Sequence, residues 1–282
     1  MRLKRIFVLC FHLFLIIVAM CFLLLFLVIP LFVVFFNAFS QGISIYAGNI
    51  TRKETIESIL LTLKILLIVL PLNTLFGIAS AWYITRYTFR GKKLLLTFLD
   101  LPFTVSPVVA GTIFVLLFSV NGLLGGIVEK WNIQIIFAFP GMVLATLFVT
   151  FPFVARELIP IMEEQGQEME EAGRMLGAST WQILLKITLP NIRWALFYGM
   201  VLCSARCVGE FGAVSVVSGH IRGKTITVPL EVEILYNEYN LIGAFCVASL
   251  LCIIGIISLI FRKWIEKKDP LHLYMKTYKY GD

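Results

Sequence analysis

Arg206 and Glu210 stand four positions apart inside an otherwise apolar stretch. At that spacing they share one face of a helix and can neutralise each other. The surrounding "SARCVGEFGAVS" is crowded with small residues, and Ala205, Gly209 and Ala213 recur at every fourth position, which allows a neighbouring helix to approach closely. A charged pair beside such a seam suits a gate or a passage for a charged solute. Arg206, Gly209, Glu210 and Gly212 are therefore the candidate path residues. A little further on, His220, Arg222 and Lys224 bring positive charge to one short loop, where they can receive an anion, dock an acidic protein surface, or serve only as solvated charge.

Other chemistries fit poorly. "SGHIRGKT" invites comparison with a phosphate-cradling loop, but only three residues separate Gly219 from Gly223, and the longer spacing puts Ser218 where a glycine is needed. The three histidines (His12, His220, His272) are scattered, and neither a nucleophile triad nor a pair of catalytic carboxylates is in view. The six cysteines (Cys10, Cys21, Cys203, Cys207, Cys246, Cys252) all lie in apolar runs without metal-ligand spacing. They read as small, lipid-compatible side chains, and no metal site, catalytic residue or cofactor is expected on this chain. The "NIT" at Asn49 is too short a pattern to carry meaning.

The elements that must hold these residues are membrane helices. Of 282 residues, 59% are hydrophobic and 15% charged, with a mean hydropathy of +0.92. A hydrocarbon layer of about 30 Å needs about 20 helical residues. Six runs satisfy that, near 13–36, 58–83, 94–119, 134–159, 194–217 and 241–261. Their continuous apolarity favours helices over barrel strands, which would alternate. The first run follows "MRLKR" and is too long for a cleaved leader, so a retained anchor is expected. Lys and Arg concentrate at the N-terminus, the second and fourth connections and the C-terminal tail; Arg52, Lys53, Lys130, Arg222 and Lys224 lie on the opposite side. The positive-inside rule then places both termini in the cytoplasm and assigns the net charge of +7 to topology instead of nucleic acid. Two further ionisable residues at membrane depth, Lys64 and Asp100, lie about two turns from span ends, where Lys64 can snorkel and Asp100 precedes Pro102 and Pro107.

In this orientation a polar segment, "EAGRMLGASTWQILLKITLP" over 171–190, faces the cytoplasm. Met162, Met169, Ala172 and Leu176 recur at helical spacing, with glutamates over the remaining surface. Gly177 suits a C-terminal turn, and Ser179 with Gln182 has capping-box spacing for a second helix leading to Pro190. Five glutamates beside an anionic leaflet argue for a protein partner over lipid headgroups.

The spacing of Glu171, Ala172, Gly177, Ile187, Leu189 and Pro190 resembles the EAA loop of binding-protein-dependent ABC importer permeases, with Gly173 where the signature has a second alanine. "GEFGAVSVVSGHIRGKT" and "PLEVEILYNEYN" are similar to the W-type permease subunits of bacterial sulfate/thiosulfate importers; molybdate permeases share the "GEFG" core. The resemblance implies an all-α type I importer permease fold with six transmembrane helices. The ATPase-coupling residues would be Glu171, Ala172, Gly173, Gly177, Ala178, Ile187, Leu189 and Pro190. Implied partners are a T-type second permease subunit, a dimer of ATPase subunits carrying ATP and Mg, and an extracytoplasmic sulfate-binding protein. The location would be the cell inner membrane. The chain then divides into an N-terminal tip, first helix and outer loop (1–57), a permease core (58–262, coupling loop about 160–192) and a cytoplasmic tail (263–282). A membrane-embedded enzyme would need several catalytic groups at one depth, and a secondary transporter would show inverted repeats and broken helices; the sequence displays neither.

Overall fold

The computed structural model describes residues 2–131 and 133–268, and the described residues contain no β-strand. The helices in chain order are α1 (Arg2–Leu23), α2 (Ile29–Phe39), α3 (Ile43–Ile50), α4 (Lys53–Arg86), α5 (Lys92–Thr104), α6 (Pro107–Phe118), α7 (Gly125–Lys130), α8 (Phe139–Thr150), α9 (Pro152–Gln165), α10 (Glu168–Met175), α11 (Thr180–Ile183), α12 (Leu189–Val208), α13 (Gly212–Ser218), α14 (Val228–Asn237) and α15 (Leu241–Lys268). Four helical stretches are long and apolar enough to cross a bilayer: Phe11–Phe39, Lys53–Arg86, Phe139–Gln165 and Leu241–Ile265. Two bent pairs, α5 with α6 and α11–α12 with α13, complete six crossings when each pair is read as one span. The part of the predicted tail at 269–282 lies outside the described residues.

The third and fifth spans depart from the continuous helices expected of them. Between α5 and α6 the chain bends by 107°. Pro107 opens α6 and drives Ser106 into extended backbone, with ψ 135°, as a residue before proline prefers. Pro102 is instead absorbed within α5. The fifth span bends by 48° at 209–211. There the Glu210 carboxylate accepts the N–H of Ala213 at 2.9 Å, a donor that a continuous helix would give to the carbonyl of Gly209. The seam expected along Ala205, Gly209 and Ala213 is therefore interrupted, and Gly209 lies exposed at the bend. Broken spans, absent from the sequence reading, are a feature of this fold.

Prolines also account for two π-helical turns, Leu24–Val28 and Leu184–Thr188. Each ends two residues before a proline, Pro30 and Pro190. A proline lacks an N–H and crowds the carbonyl four residues back, so a widened turn relieves the clash without ending the helix. The second turn joins α11 to α12 as one helical body, Thr180–Val208.

Packing centres on α4, α9 and α12. A Cβ on Gly77 would lie 2.6 Å from Val154 Cβ, and one on Gly199 would lie 3.2 Å from Val154 Cα, so both glycines bring their backbones against the same valine. Polar bonds hold the centre as well: Asn73 Nδ2 donates to Thr150 Oγ1 at 2.7 Å, and Cys203 Sγ donates to the Thr150 carbonyl at 3.7 Å. Cys203, Cys207 and Cys246 are buried, as their apolar settings suggested. The first span leaves most of its apolar surface facing outward, as lipid contact requires. It is attached through α2 and α3 to α15, where Tyr46 Oη and Ser249 Oγ approach to 3.0 Å.

Candidate functional site

The polar segment is two helices and a turn mounted on the spans. A single helix from Met162 to Leu176 was expected; Gly166, at φ +68°, breaks it. Met162 consequently lies in the last turn of α9 and its side chain is fully buried with Ala81, Leu158 and Ile192, so it offers nothing to a partner. α10 follows, then Gly177 at φ +83°, which a residue with a Cβ adopts only with strain. The expected capping box is formed: Ser179 N donates to Gln182 Oε1 at 2.8 Å, and Gln182 N to Ser179 Oγ at 3.4 Å.

This geometry explains why the signature residues keep their spacing. Gly173 is buried against Ile187, whose Cδ1 would stand 2.7 Å from a Cβ placed there. The Ala178 N–H bonds the Gly173 carbonyl at 3.0 Å, closing the turn around Gly177. Leu189 and Pro190 begin α12 directly behind. Glu171 and Ala172 face solvent. Beyond them the turn presents Met175, Leu176 and Trp181, which are 90%, 89% and 71% exposed.

One anchoring residue escaped the sequence reading. Glu170 is buried, and its Oε1 accepts from Arg86 Nε at 2.9 Å and from Thr188 Oγ1 at 2.7 Å. Arg86 Nη1 also reaches the Met162 carbonyl at 2.9 Å. One guanidinium thus ties the C-terminal end of α4 to α9 and α10, and the carboxylate it holds ties in the start of α12. Grouping all the glutamates as surface concealed this. The signal was the i, i+3 spacing of Glu170 with Gly173, which marks the second, inward face of α10.

At membrane depth, Arg206 Nη1 lies 2.7 Å from Glu210 Oε2, with Glu210 buried and Arg206 about one-third exposed. The guanidinium is not aimed along a hydrogen-bond direction, so Oε2 has ion-pair attraction without a hydrogen bond. Beside this pair the half-helices α6 and α13 touch: a Cβ on Gly111 would lie 2.7 Å from the Ala213 carbonyl, and one on Gly212 2.9 Å from Pro107 Cβ. Close helix approach therefore does occur, with Gly111 and Gly212 as its small residues. Asp100 has a partner as well. Arg156 Nε donates to its Oδ1 at 3.0 Å, Nη2 bonds the same oxygen, and the guanidinium sits 4.8 Å from the Phe103 ring centroid. Arg156 had not been singled out.

The loop cations do not form a uniformly positive mouth. His220 Nε2 lies 3.2 Å from Glu233, and Arg222 is paired with Glu238. Arg222 and Lys224 line a cleft of about 480 Å³ together with Lys64, but Glu54, Glu57 and Glu231 line it too. Burial holds the Glu231 carboxyl above the usual carboxylate range, against the pull of Arg222 and Arg52. α14, which carries Glu231 and Glu233, was not anticipated. Thr62 Oγ1 seats its first turn by accepting the Val228 N–H at 3.0 Å.

Residues 73–268 match the family described as binding-protein-dependent transport system inner membrane component. The sulfate transport system permease protein CysW of Escherichia coli (strain K12) is 50% identical over 240 residues, which cover 85% of this chain and 82% of that protein. The sulfate transport system permease protein CysT of the same strain is 35% identical over 233 residues, 83% of this chain and 84% of that one. Among solved structures, a bacterial alginate ABC transporter in complex with an alginate-pentasaccharide-bound periplasmic protein contains a chain that superposes with a TM-score of 0.76 at 17% identity, covering 94% of this chain and 96% of that one.

Proposed function

Because the chain belongs to the binding-protein-dependent transport system inner membrane components, we propose that it is a permease subunit of an ATP-driven sulfate/thiosulfate importer. In this reading it forms the translocation path with a second, T-type permease chain. Two cytoplasmic ATPase subunits hold ATP and Mg, and an extracytoplasmic binding protein delivers the anion. Both termini face the cytoplasm. The half-identity to a sulfate permease over most of both chains supports the substrate class. Nothing in the transport of a dianion calls for proton or redox chemistry; hydrogen-bond donors and positive potential suffice.

One observation carries the mechanism: an exposed apolar tip, Met175, Leu176 and Trp181, stands at the end of a segment clamped to three spans by Arg86 and Glu170. An apolar tip on a rigid mount suits insertion into a cleft of the ATPase. Movement of that cleft would tilt Thr180–Val208 as one body and shift the α12–α13 bend, where Arg206 and Glu210 sit. Glu171 and Ala172 would contact the ATPase directly; Gly173, Gly177, Ala178, Ile187, Leu189 and Pro190 would shape the mount. The outer cleft at His220, Arg222 and Lys224, with its mixed charges, suits docking of the binding protein better than anion capture.

The test is reconstitution with the natural partners. ATP turnover should rise when the binding protein carries sulfate or thiosulfate, and remain basal with molybdate. Gly177→Val should reduce uptake at least tenfold while ATP turnover continues and the chain still inserts. Loss of insertion, or normal uptake, would count against the coupling role.

A further inference from the structure

We propose that Arg156, held by Asp100, is a second and inner anion station of the permease, reached after Arg206. The proposal rests on the oxyanion-importer reading and identifies where in the inner half of the membrane the anion pauses.

The argument begins with exposure. Both side chains of the Arg156–Asp100 pair lie within apolar spans, yet each is about half exposed, at 51% and 48%. Charges at that depth do not face lipid; they face water or another chain. In the proposed reading they face the water of the path, because they stand beside the bend near which Arg206 also lies. Asp100 and Phe103 are in the last turns of α5, next to the 107° bend that opens the third span. Arg206 is near the same bend, because Gly212, six residues further along its span, packs against Pro107. The levels can be compared through the Cys203–Thr150 bond. Arg206 is three residues outward of Cys203 and Arg156 six residues inward of Thr150, so the two guanidinium-bearing residues are separated by roughly 14 Å along the spans at 1.5 Å per residue. They form two cationic steps along one passage.

The pair's chemistry suits a transient stop. A guanidinium has five N–H donors. Asp100 Oδ1 takes one from Nε and one from Nη2, and Phe103 covers one face, which leaves the outer edge with free donors for a tetrahedral oxyanion. The Asp100 carboxylate repels that anion while holding the arginine in place. Binding is consequently weak enough for release, as a conducting site requires.

Equilibrium binding of [³⁵S]sulfate to the nucleotide-free complex, without its binding protein, tests the proposal. Asp100→Asn should bind sulfate about tenfold more tightly than the wild type and slow ATP-driven uptake. Arg156→Gln should weaken binding at least tenfold, and Arg156→Lys should retain part of it. The charge exchange of Asp100→Arg with Arg156→Asp should not restore transport. The proposal is overturned if Asp100→Asn fails to tighten binding in an assembled complex, or if the exchange restores uptake, since a purely structural pair behaves that way. Uptake by the wild-type complex with its binding protein reports separately on the substrate: if it imports another oxyanion in place of sulfate, the sulfate reading fails, and the same variants are judged with that anion.

Discussion

Glu170 and Glu171 are neighbours in the chain with opposite surroundings, one buried on Arg86 and one in solvent. A buried charge stripped of its partner is expensive, about 3–5 kcal/mol, whereas an exposed glutamate can change with little effect on folding. Arg86→Gln should therefore lower the melting temperature of the detergent-purified chain and loosen the inner segment. Glu171→Gln should leave melting unchanged and weaken only the association with the ATPase. Thermal unfolding followed by co-purification with the ATPase separates the two, and equal melting losses would contradict the assignment. Glu171 was legible in the sequence because its motif spacing singles it out. Glu170 was not, because Arg86 is 84 positions away and is brought to it only by the packing of α4 against α9, while Thr188 reaches it only once the turn at Gly177 folds α10 back on the π-helical turn before α12.

At the scale of elements, local chemistry announced the turns and misjudged the breaks. Gly177 and the Ser179–Gln182 box are short-range devices, and both stand where their residue types predict. The bends depend on distant support. Pro107 can end a helix, but the half-helix it starts persists because Gly111 lies against the Ala213 backbone of α13. Gly111→Val should push α6 off α13, because its nearest obstacles include backbone atoms that have no rotamer to escape into. The expected result is at least a tenfold fall in anion uptake, with ATPase binding retained because the inner segment is untouched. Transport and pull-down measured on the same preparation check this, and normal uptake would show that the α6–α13 contact is dispensable.

For the whole molecule, orientation ties the sites to their compartments. Ser44→Cys, in the exposed α3, should react with an impermeant maleimide from outside the cell. Ser179→Cys, at the exposed turn before α11, should react only after the membrane is opened. The reverse pattern would invert the topology and detach the apolar tip from any ATPase. The sequence alone determined the membrane class, up to six crossings, the glycine turn and capping box of the polar segment, and the family, because apolar run length and motif spacing are properties of neighbouring residues. Only the tertiary structure decided which charges are partnered. It placed Arg86 on Glu170, Arg156 on Asp100 and glutamates beside His220 and Arg222, because ion pairs between spans depend on which helices pack together and at what level, and residues 56 or 84 positions apart carry no local mark of that meeting.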